Sequence, residues 1–183
     1  IGRCGSMFAI EDMGVTPDIL CLSKTLGNGL PLSAIVTSEA IDRKGQENGF
    51  LFYTTHVNDP IPAAVGAKVL DIVTRDNLVE NSRIRGEQFY QGLLKFMEQY
   101  QAIGDVRHKG LMFGLEIVKD RATKESDPTK AALLASIMMK HGLSANLIAV
   151  KALVVFSEWL HQFLSLKKKS MRLLESWELL SRK

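Results

Sequence analysis

Cysteine is scarce, with only Cys4 and Cys21 in 183 residues. Two cysteines with no CxxC or Cys/His spacing build neither a disulfide framework nor a zinc site, and they read as reduced thiols. His56, His108, His141 and His161 are equally scattered, with no HExxH-type pair, which argues against a transition-metal centre. No apolar run approaches the ~18 residues needed to cross a bilayer. The opening stretch, IGRCGSMFAIEDMG, lacks the basic-then-apolar layout of a secretory signal. No membrane partner is expected, and a cytoplasmic setting is favoured. Because the chain begins at Ile1 rather than Met, it is expected to be cut from something longer.

What is present is the makeup of a folded globular protein, 46% hydrophobic and 23% charged. The net charge of +3 is unevenly placed. Residues 1–150 carry 16 Lys/Arg against 17 Asp/Glu, whereas residues 151–183 carry 7 against 3. The body is slightly acidic, so no nucleic-acid partner is expected, and the basic excess belongs to the tail.

The run Asp18 to Leu22 is apolar after its first residue, as in a strand buried on both faces of a parallel sheet. Leu32 to Val36 reads as a second short strand, and the two look like the closing strands of an α/β sheet. Asp59-Pro60 is a helix start: a carboxylate can accept early N–H groups, and proline sits where its missing N–H costs nothing. Val65, Val69, Ile72 and Val73 then recur at helical spacing. A break at Arg75 to Leu78 precedes a second helix carrying Phe89, Leu93, Phe96 and Met97. IGDVRHKGLMFGLEIVKD predicts two strand pieces around Gly110 and Gly114. DPTKAALLASIMMKHG predicts a helix capped by Asp127, opened by Pro128 and stopped by Gly142, and LSANLIAV predicts a further strand. The expected organisation is the end of a large domain and the start of a linking helix over 1–75, the rest of that helix and a small α+β domain over 76–150, and an aberrant tail over 151–183.

Lys24 ends the apolar run and is followed by Gly27, Gly29 and Pro31. A phosphate-binding P-loop needs its glycines before the lysine, so that reading fails on order. Spacing leaves two others open. Lys24 is the first wet residue after a strand, or it is an amine held at the carboxyl end of a strand, where α/β sheets place ligands, and there forms a Schiff base. The second reading asks for partial desolvation, since an ammonium of ordinary pKa is a poor nucleophile at neutral pH.

The series GRCGSMFAIEDMGVTPDILCLSKTLGNGLPLSAIVTS resembles the Schiff-base region of class III pyridoxal-phosphate aminotransferases, and within them is most similar to the 2,2-dialkylglycine decarboxylase type. LFYTTHVNDPIPAAVGAKVLD and IGDVRHKGLMFGLEIVKDRATKE continue the likeness, which runs from Gly2 to about Val150. Cys4 and Cys21 stand where threonines are usual, and His108 where glycine is usual. The resemblance implies a partial fold-type-I transferase of α/β class, with Lys24 carrying pyridoxal 5'-phosphate as a Schiff base and then acting as proton donor and acceptor. It implies that Thr55 binds the coenzyme phosphate of a neighbouring subunit, hence a homodimer or higher homo-oligomer. It also implies that Thr55, Val57 and Asp59 help hold an alkali-metal ion, although Asp59 is equally explained as a helix cap. Arg107 is expected to be a structural ion-pair former. The implied reaction is decarboxylation and transamination of a 2,2-dialkylglycine with a 2-oxo acid such as pyruvate. Another ω-aminotransferase of ornithine or 4-aminobutyrate type, and a non-catalytic dimerising remnant, are the alternatives.

The tail departs from the family. Where the pattern GxFRIAPPL is expected, this chain reads VVFSEWLHQFL, so Ser157 follows Phe156 in place of an arginine that clamps the substrate carboxylate with two prongs. Without that clamp, residues 1–183 by themselves are expected to show no measurable turnover. One reading of the tail is an amphipathic basic helix, with Trp159, Phe163 and Leu166 apolar and Lys167 to Lys169 solvated. The genetic code offers another. With choice only of wobble bases, the codons for Leu153 to Ser181 read one base earlier can spell GGVFRMAPPISVSEEEIDEALGILGAAL, an ending of the family's type. A single-base frameshift near Lys151 is therefore expected, and it also accounts for the basic tail. Sequencing the transcript across Lys151 tests it, and an uninterrupted reference that encodes the tail as written overturns it.

Overall fold

The computed structural model describes residues 1–148 and 152–157. The substituted ending and the basic amphipathic segment fall mostly on residues 158–183, outside the described residues. The described chain forms two compact units, one of residues 1–2 and 7–79, the other of residues 3–6 and those from Glu80 onward.

In the first unit, β1 (Ile19–Leu22) and β2 (Ala34–Thr37) form a two-stranded ribbon. They pair antiparallel, Ile19 opposite Thr37 and Leu22 opposite Ala34, which corrects the expectation of a parallel, doubly buried strand. The cause is the connection. Residues 23–33 fold into successive tight turns, with Leu26 N–H donating to Ser23 O, Asn28 N–H to Thr25 O and Leu30 N–H to Gly27 O. A parallel crossover needs about a dozen residues or more, usually a helix. Because the ribbon has only two strands, its apolar side chains stay wet, Ile19 at 54% and Ile35 at 69% exposure. Ser38 caps α1 (Glu39–Glu47), its hydroxyl accepting from Ile41 N–H.

The helix α2 (Pro60–Arg75) begins at the expected Asp59-Pro60 step, but the cap differs. The Asp59 carboxylate accepts no helix N–H; its Oδ2 lies 3.0 Å from His56 Nδ1. The sequence shows a cap residue, but which neighbour takes the carboxylate depends on how the preceding loop folds. On the solvent face of α2, the Lys68 ammonium hydrogen-bonds Asp71 and holds that carboxyl below its ordinary value. That contribution is present at neutral pH and is lost as pH falls through the lowered value. The break comes where expected, at Asp76 and the left-handed Asn77 (φ 51°), before α3 (Leu78–Gln99).

The second unit is a sheet ordered β3-β4-β7-β6, with β5 (Glu125–Ser126) paired to β4. A tight turn at Gly110 joins β3 (Ile103–Lys109) to β4 (Met112–Asp120). The two strand pieces expected here are thus present, and Gly114 lies inside β4, paired with Arg107 and Val155. Alternation along β4 buries Phe113, Leu115 and Ile117. They meet Leu93 and Phe96 of α3 and Ala131, Leu134 and Met138 of α4 (Pro128–Lys140) in one core. Asp127 caps α4 as its sequence demands, its carboxylate accepting Lys130 N–H at 2.9 Å. Asp127→Ala is expected to cost about 1 kcal/mol by urea denaturation. The strand β6 (Asn146–Ile148) lies at the edge and β7 (Leu153–Ser157) between it and β4. Arg107 pairs with Asp105 at 3.1 Å, the structural role expected of it.

Two features of this unit are invisible to periodicity. His108 is stacked on Tyr90, ring centroids 4.0 Å apart, with Phe113 near-parallel to it at 5.6 Å and Glu87 3.5 Å from its Nε2. The imidazole that departs from the family's glycine is thus absorbed by an aromatic cluster. Arg121 closes the carboxyl end of α3: its guanidinium donates to the carbonyls of Met97, Tyr100 and Ile103. The last carbonyls of a helix have no partner within it, so one side chain satisfies groups that burial would leave wanting. Arg121→Met is expected to lower stability by about 2 to 3 kcal/mol, read from the urea midpoint at unchanged slope.

Candidate active site

Lys24 stands two residues beyond the carboxyl end of β1, at the first position of a short 3-10 turn, Lys24–Gly27. Ser23 before it is fully extended, whereas Lys24 has a left-handed backbone, φ 56°. A side chain with a Cβ rarely adopts that conformation, and holding it costs of order 1 to 3 kcal/mol. The surroundings impose it. Leu26, 4% exposed, anchors the turn, and Asn28 closes it in a second left-handed conformation, φ 46°.

Partial desolvation of this amine does not hold in the structure: Lys24 is exposed, and its ammonium has no hydrogen bond or ion pair among the described residues. The β1-β2 ribbon has only two strands, and the lysine beyond it stands accessible to solvent.

The second cluster is the loop before α2. Val57 N–H donates to Thr54 O and Asp59 N–H to His56 O, two overlapping turns that require Asn58 to be left-handed, φ 66°. Thr55 and Val57 are exposed, and Asp59 is spoken for in part by His56. An open groove in the first unit runs between this loop, β2 and α2, lined by Leu32, Ile35, Phe52, Val57, Asp59 and Ala63 among others. Val57 and Asp59 therefore share one cavity wall, while neither Lys24 nor Thr55 lines it. Among the described residues, no three His, Cys, Asp or Glu side chains gather as a metal site.

Sequence reasoning missed His56 and Leu26. His56 lies three residues before Asp59, a spacing that a turn brings together. Leu26 is a lone apolar residue among turn formers, a pattern that marks an anchored turn.

Residues 1–169 match the aminotransferase class-III family. The chain is 42% identical over 153 residues to an uncharacterized aminotransferase of Schizosaccharomyces pombe, covering 84% of this chain and 34% of that protein. It is 33% identical to a probable 4-aminobutyrate aminotransferase of Bacillus subtilis, covering 93% of this chain and 40% of that protein. It is 40% identical to a leucine/methionine racemase of Thermococcus litoralis, covering 68% and 28%. The fold superposes on an amine transaminase from an uncultivated Pseudomonas species, solved in its PLP-bound form, with TM-score 0.83 and 28% identity over 96% of this chain and 41% of that one. The chain spans about a third of the length of the curated relatives it matches.

Proposed function

The chain belongs to the class III aminotransferase family, and from that membership we propose that it supplies the lysine-bearing part of a pyridoxal-phosphate enzyme that moves an amino group from an amino donor to a 2-oxo acid. The observation that carries the reading is Lys24: an accessible amine on a left-handed backbone at the end of a strand, inside the segment that matches the family.

The residues fit the aldehyde end of the coenzyme: Lys24 offers an accessible primary amine with no ion pair among the described residues, and once it has lost its proton such an amine condenses with a carbonyl. Pyridoxal phosphate, when bound, supplies that carbonyl and a ring that draws electrons from the substrate's α-carbon. Lys24 Nζ would hold the coenzyme through its aldehyde and would take and return the proton that moves between donor and acceptor. The tight turns after Lys24 would leave the coenzyme ring room beside the backbone. Thr55, with its hydroxyl exposed at the loop before α2, would bind the phosphate of the coenzyme in a neighbouring subunit, and the working form is a homodimer. Thr55, Val57 and Asp59 would hold an alkali-metal ion through hard oxygen atoms, which suits such an ion better than nitrogen or sulfur.

The finer reading is decarboxylation of a 2,2-dialkylglycine with pyruvate as amino acceptor, supported by the likeness of residues 51–71 and 103–125 to that type. A second reading, an ω-aminotransferase, is favoured by the 33% identity to the probable 4-aminobutyrate enzyme over 93% of the chain. Incubating the complete gene product with pyridoxal phosphate, a dialkylglycine and pyruvate separates them. Release of CO2 with alanine supports the first. Amino transfer from 4-aminobutyrate or ornithine without CO2 supports the second. Absence of both, with Lys24 unmodified in excess coenzyme after borohydride, leaves only a dimerising remnant.

A further inference from the structure

We propose that Leu26 is a positioning residue for the Lys24 amine, working by wedging the strained turn into a notch on α2 that Gly66 keeps open; the inference rests on the reading of Lys24 as the coenzyme lysine. In the first unit, Leu26 and Val73 are the large side chains buried below 5%. Everything else on the Lys24 turn is held only by backbone hydrogen bonds of 2.9 to 3.3 Å. Such turns form and break easily in water, so they do not by themselves keep a lysine at φ 56°.

The notch is specific. A Cβ built on Gly66 would lie 2.5 Å from Leu32 Cδ2 and 3.6 Å from both Leu26 Cγ and Leu26 O. A Cβ there would overlap Leu32 and would touch Leu26 at ordinary contact distance, so the α2 surface at Gly66 lies against the turn with room for no more than a glycine. Across the turn, a Cβ on the buried Gly27 would lie 3.1 Å from Leu32 Cβ, so Leu32 braces the opposite side. Leu26 therefore lies against α2 while Leu32 braces the adjoining Gly27, and Lys24, two residues before Leu26, inherits its orientation through a rigid turn. Loosening Leu26 frees Lys24 to relax to an ordinary negative φ, which swings Nζ off its aim.

The test compares sites within one molecule. The complete gene product is incubated with limiting pyridoxal phosphate and trapped with borohydride, and phosphopyridoxyl groups are mapped by mass spectrometry on Lys24 and on the exposed Lys44 as an internal control. In the parent protein, Lys24 is labelled in preference to Lys44. Leu26→Ala lowers the Lys24-to-Lys44 ratio about tenfold, as a misplaced reacting group does, and leaves Lys44 labelling unchanged. Leu26→Met, of similar volume, stays within about twofold of the parent. Leu26→Val, a smaller truncation, falls between them and keeps the test decisive if the alanine variant does not fold. A general loss of stability does not move a ratio measured on folded protein. Equal ratios in Leu26→Val, Leu26→Met and the parent overturn the positioning role while leaving the Lys24 reading intact. A parent that labels Lys24 no better than Lys44 overturns both.

Discussion

Lys24→Ala is expected to abolish borohydride trapping of pyridoxal phosphate at this site and, in the complete gene product, to lower amino transfer by a factor of at least about 10³. The magnitude follows from two losses. The alanine has no amine to hold the coenzyme, and it removes the group that shuttles a proton at the substrate carbon, a role worth about 10²- to 10⁴-fold on its own. Lys24→Arg is expected to be as damaging: the guanidinium keeps the positive charge, but it stays protonated and does not condense with an aldehyde. The pair thus separates chemistry from electrostatics. The measurements are the absorption band of the coenzyme adduct, its disappearance on borohydride reduction, and turnover. A Lys24→Ala protein that retains both the band and the turnover would sink the assignment. Because Lys24 is exposed and alanine keeps the same Cβ on the left-handed backbone, the alanine variant is expected to be about as stable as the parent, so its inactivity is not a folding artefact.

The largest effect on stability is expected far from that lysine, at Gly86. Three backbone segments of the second unit meet there: α3, the β3–β4 turn and the strap Arg3–Ser6. A Cβ on Gly86 would lie 2.1 Å from Gly110 O and 2.5 Å from Gly110 C. Gly110 in turn has φ 53°, and a Cβ on it would lie 2.4 Å from the Cys4 carbonyl carbon. The strap is fastened by Leu111 N–H donating to Arg3 O at 2.8 Å. Side chains relieve a clash by changing rotamer; three stacked backbones have no such freedom. Gly86→Ala should therefore cost about 3 kcal/mol or more, despite a gain of about 1 kcal/mol in helix propensity. Gly92 lies on the same helix, and a Cβ there meets nothing within 4 Å. Gly92→Ala is expected to stabilise the protein by up to about 1 kcal/mol. Opposite shifts in melting temperature for the two variants are the expected result, and equal shifts would show that the crossing is looser than its geometry implies.

How much of this could be read from the residues differs between the two units. In the second unit the local signals agree with one another. Asp127, Pro128 and Gly142 bracket α4 as written, and the apolar alternation around Phe113, Leu115 and Ile117 makes β4 a half-buried strand. In the first unit the apolar run of β1 pointed to a doubly buried parallel strand. The turn-rich connection of residues 23–33 was the stronger signal, because chain length limits topology whatever the hydropathy. At the candidate site, Lys24 was legible from its place after an apolar run and from the family's pattern around it. Its left-handed backbone and its exposure were not, because φ at one residue is set by the buried Leu26 and the α2 notch. Asp59 was legible as a helix-start residue, but its pairing with His56 depends on the loop's two turns.

By itself, the order of residues determined the family resemblance, the boundaries of α2 and α4 and the absence of any segment long and apolar enough to span a bilayer. Those properties are local: a capping carboxylate, a proline or an amine acts within a few residues of where it is written. The tertiary structure alone decided which backbones come within contact distance, at Gly86 and Gly110, which side chains fill the space beside Gly66, and the left-handed backbone of Lys24. Those outcomes come from close packing between segments remote in sequence, where a single methyl group has no room and no local pattern records the neighbour that excludes it.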